Sequence, residues 1–234
     1  MDEVSPWEAV FWDVGGVILS LPSVRRAHAA FVDDLCSRFS CAVPTQTAVD
    51  RWRTVVGEYF AEREEMAYRP AREAYDRAVD AVVEPTVPRS AWRPLFRSAF
   101  DRHVEANPEA VDTVAELARS PVHVGVVSDV DHDEGRRILD AFDLLDRVDS
   151  FTSSEEVGHT KPHPHTFETA LAKADVSPGR SLMIGDRYEH DVEGAAAVGL
   201  STVAYGAEEG PAVDYRVESL SEVLDIVASG RPET

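Results

Sequence analysis

Lysine is nearly missing from this chain. Lys161 and Lys173 are its two lysines, and the rest of the 23 basic residues are arginines, set against 43 acidic ones for a formal charge of -20. That balance excludes nonspecific attraction to a nucleic-acid backbone or an anionic membrane surface. Excess carboxylate with scarce lysine fits a very salty, halophilic cytoplasm, where counterions screen the self-repulsion; an arginine bias in the coding is the plainer alternative. Cysteine is equally sparse. Cys36 and Cys41 are too few for a disulfide framework and lack metal-site or C-x-x-C spacing, so they read as ordinary reduced thiols. No apolar run approaches the ~20 residues that span a bilayer, and "MDEVSPWEA" has no basic leader segment. Repeats and low-complexity stretches are absent too. The expectation is a soluble, cytoplasmic protein.

What is present is an α/β pattern in 234 residues, enough for one domain with an insertion or two modest domains. Short apolar runs at 9–14 (AVFWDV), 122–129 (VHVGVVSD), 181–186 (SLMIGD) and 201–206 (STVAYG) lack alternation and read as buried parallel strands. Helical patterns lie between and after them at 108–120, with Pro108 following Asn107, at 164–175, and at 219–230 behind a serine cap. Residues 20–107 are amphipathic and helical throughout, with breaks at Pro44, Pro70, Pro85, Pro88 and Pro94. The pattern predicts an α/β core of residues 1–19 and 108–234 carrying a helical cap at 20–107.

Ligands of open α/β sheets gather beyond the carboxyl ends of the strands. Four features fall at such ends: Asp13, Ser128 followed by Asp129, Lys161 in GHTKPHP, and the pair Asp186 and Asp191 in IGDRYEHD. Each has an ordinary reading as a cap, a turn or a solvated charge. Their ordered combination is rarer, and a chain with two lysines keeps one here, where arginine's fork could not offer the same compact charge.

With these residues in place, the chain resembles the haloacid dehalogenase superfamily of hydrolases, from FWDVGGVI to GDRYEHDVEGA. The resemblance implies a Rossmann-like parallel-sheet core with an inserted helical cap. It makes Asp13 the nucleophile, Ser128 a phosphate ligand, Lys161 the lysine of the third motif, and Asp186 and Asp191 the acids that hold Mg²⁺ with Asp13 and the carbonyl of Gly15. Backbone N–H groups around Gly15 and Gly16, with Ser128, Asp129 and Lys161, would bind the phosphate, and Arg25 in the cap is a candidate substrate ligand. The physical chemistry agrees. A carboxylate attacking phosphorus splits hydrolysis into two easier displacements. Three acids around a dianion call for a divalent cation, and an all-oxygen site favours Mg²⁺. The implied substrate is a small phosphate ester, and the oligomeric state stays open between monomer and homodimer.

The departure is Gly15. Phosphatases of the superfamily usually carry a second Asp at that position as general acid and base, a role worth ~10² to 10⁴ in rate. Three readings follow. The chain is a phosphatase acting on good leaving groups or using a substitute such as His132, His163 or His190; it is a 2-haloacid dehalogenase-like hydrolase with Arg25 or Arg26 on a substrate carboxylate; or it is a non-enzymatic binder of a phospho-ligand or partner. The acidic pair Asp186 and Asp191 favours the first. In the cap, Arg25, Arg26 and His28 are expected to place two of their three side chains in solvent, and Trp52, Tyr59, Phe60 and Trp92 to pack the helices.

Overall fold

The computed structural model describes residues 6–231. Its sheet has six strands, all parallel: β1 (Ala9–Trp12), β2 (His123–Ser128), β3 (Ser150–Ser153), β4 (Ser181–Gly185), β5 (Ser201–Tyr205) and β6 (Tyr215–Val217). They run in the order β3-β2-β1-β4-β5-β6, so the chain leaves β1 in both directions and the divergence point lies beside β1. β1 is buried along its whole length, as a central strand covered on both faces must be. In register, Trp12 stands opposite Val126 and Ile184. One residue further, Asp13 comes level with the ends of both neighbours, and its N–H continues the ladder to the Ile184 carbonyl at 3.0 Å.

The helices number ten among the described residues. Four lie within residues 19–105, after β1: α1 (Leu21–Arg38), α2 (Thr45–Ala61), α3 (Ala71–Val82) and α4 (Arg89–His103). The others are α5 (Pro108–Leu117), α6 (His132–Ala141), α7 (Ser154–Val157), α8 (Pro164–Ala174), α9 (Gly194–Ala197) and α10 (Glu222–Ser229). Phe11 and Met183 turn to one face of the sheet, where Phe167 and Leu171 of α8 and Ala195 of α9 close over them. Pro108 starts α5 as expected, and the Asn107 side chain accepts the Glu109 N–H at its head.

By contacts the chain divides into two compact units, one of the residues through Ile18 and from Ala106 on, the other Leu19–Glu105. The second is all helix. In it α1 packs on α4 and α2 on α3, around a core in which Phe31, Trp52, Trp92, Phe96 and Phe100 meet ring to ring. Tyr59 is buried as well, under the guanidinium of Arg69 at 3.9 Å.

Three expectations change. Pro94 does not break a helix but lies inside α4, on its exposed side, where the carbonyl it leaves unpaired is open to water. Cys36 and Cys41 form a disulfide, with Cα atoms 5.2 Å apart. The cause is local: Ser40 and Ala42 pair with Glu84 and Val82, which brings Cys41 back along the last turn of α1. Ser221 makes no side-chain cap on α10, because its hydroxyl pairs with Ser219; Glu222 and Glu109 accept the N–H groups of Glu218, Ser219 and Leu220 instead. Of the three residues at the head of α1, Arg25 and Arg26 are exposed, which gives the two expected in solvent, and the third, His28, lies among the rings of Trp52, Tyr75, Phe96 and Phe100.

Candidate active site

Asp13, at the end of β1, is 3% exposed, and its Oδ1 accepts the Val14 N–H at 2.8 Å. Burying a lone carboxylate would be costly, and the chain supplies a counter-charge. The Lys161 ammonium, itself 1% exposed, stands 2.8 Å from Asp13 Oδ1 and 2.6 Å from Asp191 Oδ1, and donates to the Val127 carbonyl at 3.1 Å. Burial pushes the Asp13 carboxyl up to about 6, against the pull of Lys161 and with the push of Asp191. Burial also opposes the charge on Lys161, yet Asp13, Asp191 and Asp129 together hold it above its ordinary value.

Asp186 directly follows β4, and Asp191 sits on a short π-helical turn, Tyr188–Glu193, which such sites use to aim a side chain. Asp191 Oδ2 accepts the Arg187 N–H at 3.0 Å, and both the Asp191 and Val192 N–H groups return to the Arg187 carbonyl. One oxygen each from Asp13, Asp186 and Asp191 lies within 4.8 Å of the others. Asp186 Oδ1 is buried with no hydrogen bond, and burial followed by the charge of Asp191 raises this carboxyl above its ordinary value. Asp191 Oδ1 also lacks a hydrogen bond, its contact with Lys161 being one of charge. Two unsatisfied buried oxygens beside a third, with no nitrogen or sulfur donor among them, fit a hard divalent cation that prefers oxygen.

Two glycines make room for this cluster. Gly16 takes a positive φ of 83°, and a Cβ there would overlap the Asp186 carboxylate; a Cβ on Gly185 would overlap Asp191. Gly15 takes no positive φ, so its backbone does not demand glycine.

Ser128 closes β2 and is 4% exposed. The carboxylate of Asp129, next to it, is occupied by the protein: Oδ1 accepts from Ser154 Oγ at 2.7 Å and the Lys161 N–H at 2.9 Å, and Oδ2 from Arg187 Nη2 at 3.0 Å. Burial alone would raise this group; Lys161, the Ser154 hydroxyl and Arg187 outweigh it and hold it below its ordinary value. Asp129 thus ties the segments after β2, before α8 and after β4 together. Of the residues expected at the site, Asp13, Gly15, Gly16, Ser128, Asp129, Lys161, Asp186 and Asp191 all belong to the sheet unit, and Arg25 belongs to the helical unit.

The histidines differ in their engagements. His132 Nδ1 pairs with Ser153 Oγ at 3.0 Å and its ring lies on Phe151; His163 caps α8 and stacks on His159. His190 lies half-buried on the π-helical turn beside Asp191. Sequence reasoning missed Arg187, Gly185 and Ser154. A signal existed for the first two: a glycine just before a strand-end acid, and a lone cation inside the acidic run GDRYEHD.

A family model described as haloacid dehalogenase-like hydrolase matches residues 7–199. The chain is 31% identical over 146 residues to ribulose-1,5-bisphosphate 5-phosphatase of Halopiger xanaduensis, covering 57% of this chain and 61% of that protein. It is 27% identical over 150 residues to pyrophosphatase PpaX of Bacillus mycoides, covering 59% of this chain and 67% of that one. Among solved structures, a HAD phosphatase from Thermococcus onnurineus superposes with a TM-score of 0.75 at 22% identity, covering 96% of this chain and all of that one, a likeness of fold.

Proposed function

The chain belongs to the haloacid dehalogenase-like hydrolase family, and from that premise we propose that it is a Mg²⁺-dependent phosphatase of a small phosphorylated metabolite, working through an aspartyl-phosphate on Asp13. The observation that carries this reading is the triad of Asp13, Asp186 and Asp191, the first and last of them buried, with Lys161 bridging those two. A binding module has no use for so costly an arrangement, and the names of the Halopiger and Bacillus relatives support phosphate chemistry over dehalogenation.

In this reading Asp13 attacks phosphorus as the bond to the leaving oxygen breaks; water then attacks the acyl phosphate, releasing phosphate and restoring the carboxylate. Lys161, Ser128 and the N–H groups after Asp13 hold the phosphoryl oxygens, whose charge shifts as the bonds exchange. Asp13, the Gly15 carbonyl, Asp186 and Asp191 would hold Mg²⁺, which when bound would supply charge neutralisation and substrate orientation. Gly15 provides no acid, so the departing oxygen takes its proton from water, and leaving groups of low pKa are favoured. The helical unit is assigned the role of a cap, with Arg25 as a substrate ligand.

The test is p-nitrophenyl phosphate turnover in high KCl, with Mg²⁺ and with EDTA, beside Asp13→Asn. Its leaving group needs little protonation, so Gly15 does not mask activity. Turnover requiring both Mg²⁺ and Asp13 is the expected result. Turnover unchanged in Asp13→Asn, or activity on 2-haloacids instead, would sink the proposal.

A further inference from the structure

The charges of the site lie at two depths. Lys161 and Asp13 form the floor, with side chains 0% and 4% exposed. Arg187 and Asp129 stand higher, at 45% and 16%. Floor and rim are built differently. The ammonium of Lys161 stands within 3.1 Å of three protein oxygens, whereas Arg187 offers five N–H groups and spends one, Nη2, on Asp129.

Arg187 is also fixed in place more firmly than an exposed arginine needs to be. Its N–H is bound to Asp191 Oδ2 and its carbonyl accepts the Asp191 N–H at 2.9 Å, which ties its backbone to the turn that carries Asp191. From there the side chain runs to Asp129 at the end of β2. The sheet order places β1 between those two strands, so the Arg187–Asp129 pair bridges the strand that ends in Asp13. A guanidinium presented in this way, planar and with unspent donors, suits two-pronged recognition of a carboxylate or phosphate. A phosphoryl group on the floor already has Lys161. The cation at the rim then faces the part of the substrate that leaves.

We propose that Arg187 is a specificity-determining residue that binds a second anionic group, carboxylate or phosphate, on the leaving portion of the substrate, with Asp129 holding the guanidinium in its receiving position. This rests on the phosphatase reading and narrows it to phosphomonoesters whose leaving group is itself an anion.

Binding of non-hydrolysable phosphonates tests this without turnover. Calorimetry in high KCl with Mg²⁺ would compare propylphosphonate, 3-phosphonopropionate and propane-1,3-bisphosphonate; the last two distinguish a carboxylate from a phosphate as the second anion. The wild-type protein is expected to prefer at least one dianionic-ended probe over propylphosphonate by roughly tenfold, the worth of one charge-assisted contact. In Arg187→Gln that ratio falls to about one, and in Arg187→Lys, which keeps the charge without the fork, it falls severalfold. A ratio unchanged in either variant, no preference in the wild type, or no binding of any probe overturns the proposal. Should Arg187→Gln not fold, as judged by thermal unfolding, Arg187→Lys decides alone. Absent turnover of p-nitrophenyl phosphate with the binding preference intact would fault the hydrolase reading and leave the anchor standing.

Discussion

In the sheet unit a lysine that is 1% exposed lies between two aspartates, and every group around it is charged or hydrogen-bonded. In the helical unit the half-buried His28 is ringed by four aromatic side chains, with its Nε2 buried and unpartnered. There the ion pairs stay at the surface: Arg26 with Glu105, Arg102 with Asp34, and Arg69 and Arg77 with Glu62. The difference teaches where desolvation serves chemistry. Charges buried in the first unit converge on one point and strengthen one another in a poorly screening interior. In the second, burial is done by rings and stabilises helix packing alone.

Four experiments would break or sharpen this contrast. Lys161→Met should cost most, about 3–5 kcal/mol, because it leaves Asp13 and Asp191 buried without their counter-ion; thermal unfolding in EDTA reads it, and a loss below 1 kcal/mol would mean that water reaches the cluster. Phe31→Ala removes a fully buried ring from the helical core at a cost of about 3–5 kcal/mol. Hydrogen exchange should show lost protection confined to Leu19–Glu105, and spread into the sheet strands would show that the two units do not unfold separately.

His28 gives a pH signature. Burial first, and Arg53 second, lower it from 6.5 to about 4, so the folded protein binds this proton less readily than the unfolded chain. Its contribution is therefore intact above pH 6.5 and is lost as pH falls from 6.5 towards 4, by about 3 kcal/mol in all. His28→Leu should flatten that part of the stability curve; an equal slope in both proteins would place the titration elsewhere. Arg26→Ala should cost least, under about 1 kcal/mol, since that pair is exposed on both sides. Chemical denaturation in low and high salt checks it.

The central strands were legible because burial on both faces writes a continuous apolar run, as in AVFW and SLMIG. β3 and β6 were not: SFTS and YRV are short, partly polar sequences at the two edges of the sheet, where less surface must be covered. The acids and the lysine stood out as charges placed where apolar runs end. Asp129 was legible as a residue of the site, yet its bonds to Ser154, Lys161 and Arg187 join segments far apart in sequence, and no spacing announces them. The disulfide escaped for a similar reason, since it depends on Ser40 and Ala42 finding Glu84 and Val82.

The π-helical turn at Tyr188–Glu193 carries one residue more than an α-helical turn would need, and Asp191 points where it does because of that extra residue. Deleting any one of Tyr188, Glu189 or His190 would let the segment relax to α-helix and swing Asp191 by about 100°. Glu189 is exposed, so its identity can vary freely while its presence cannot. In a library of variants this stretch should accept many substitutions and no change of length, a pattern of tolerance set by counting residues and blind to most of their side chains.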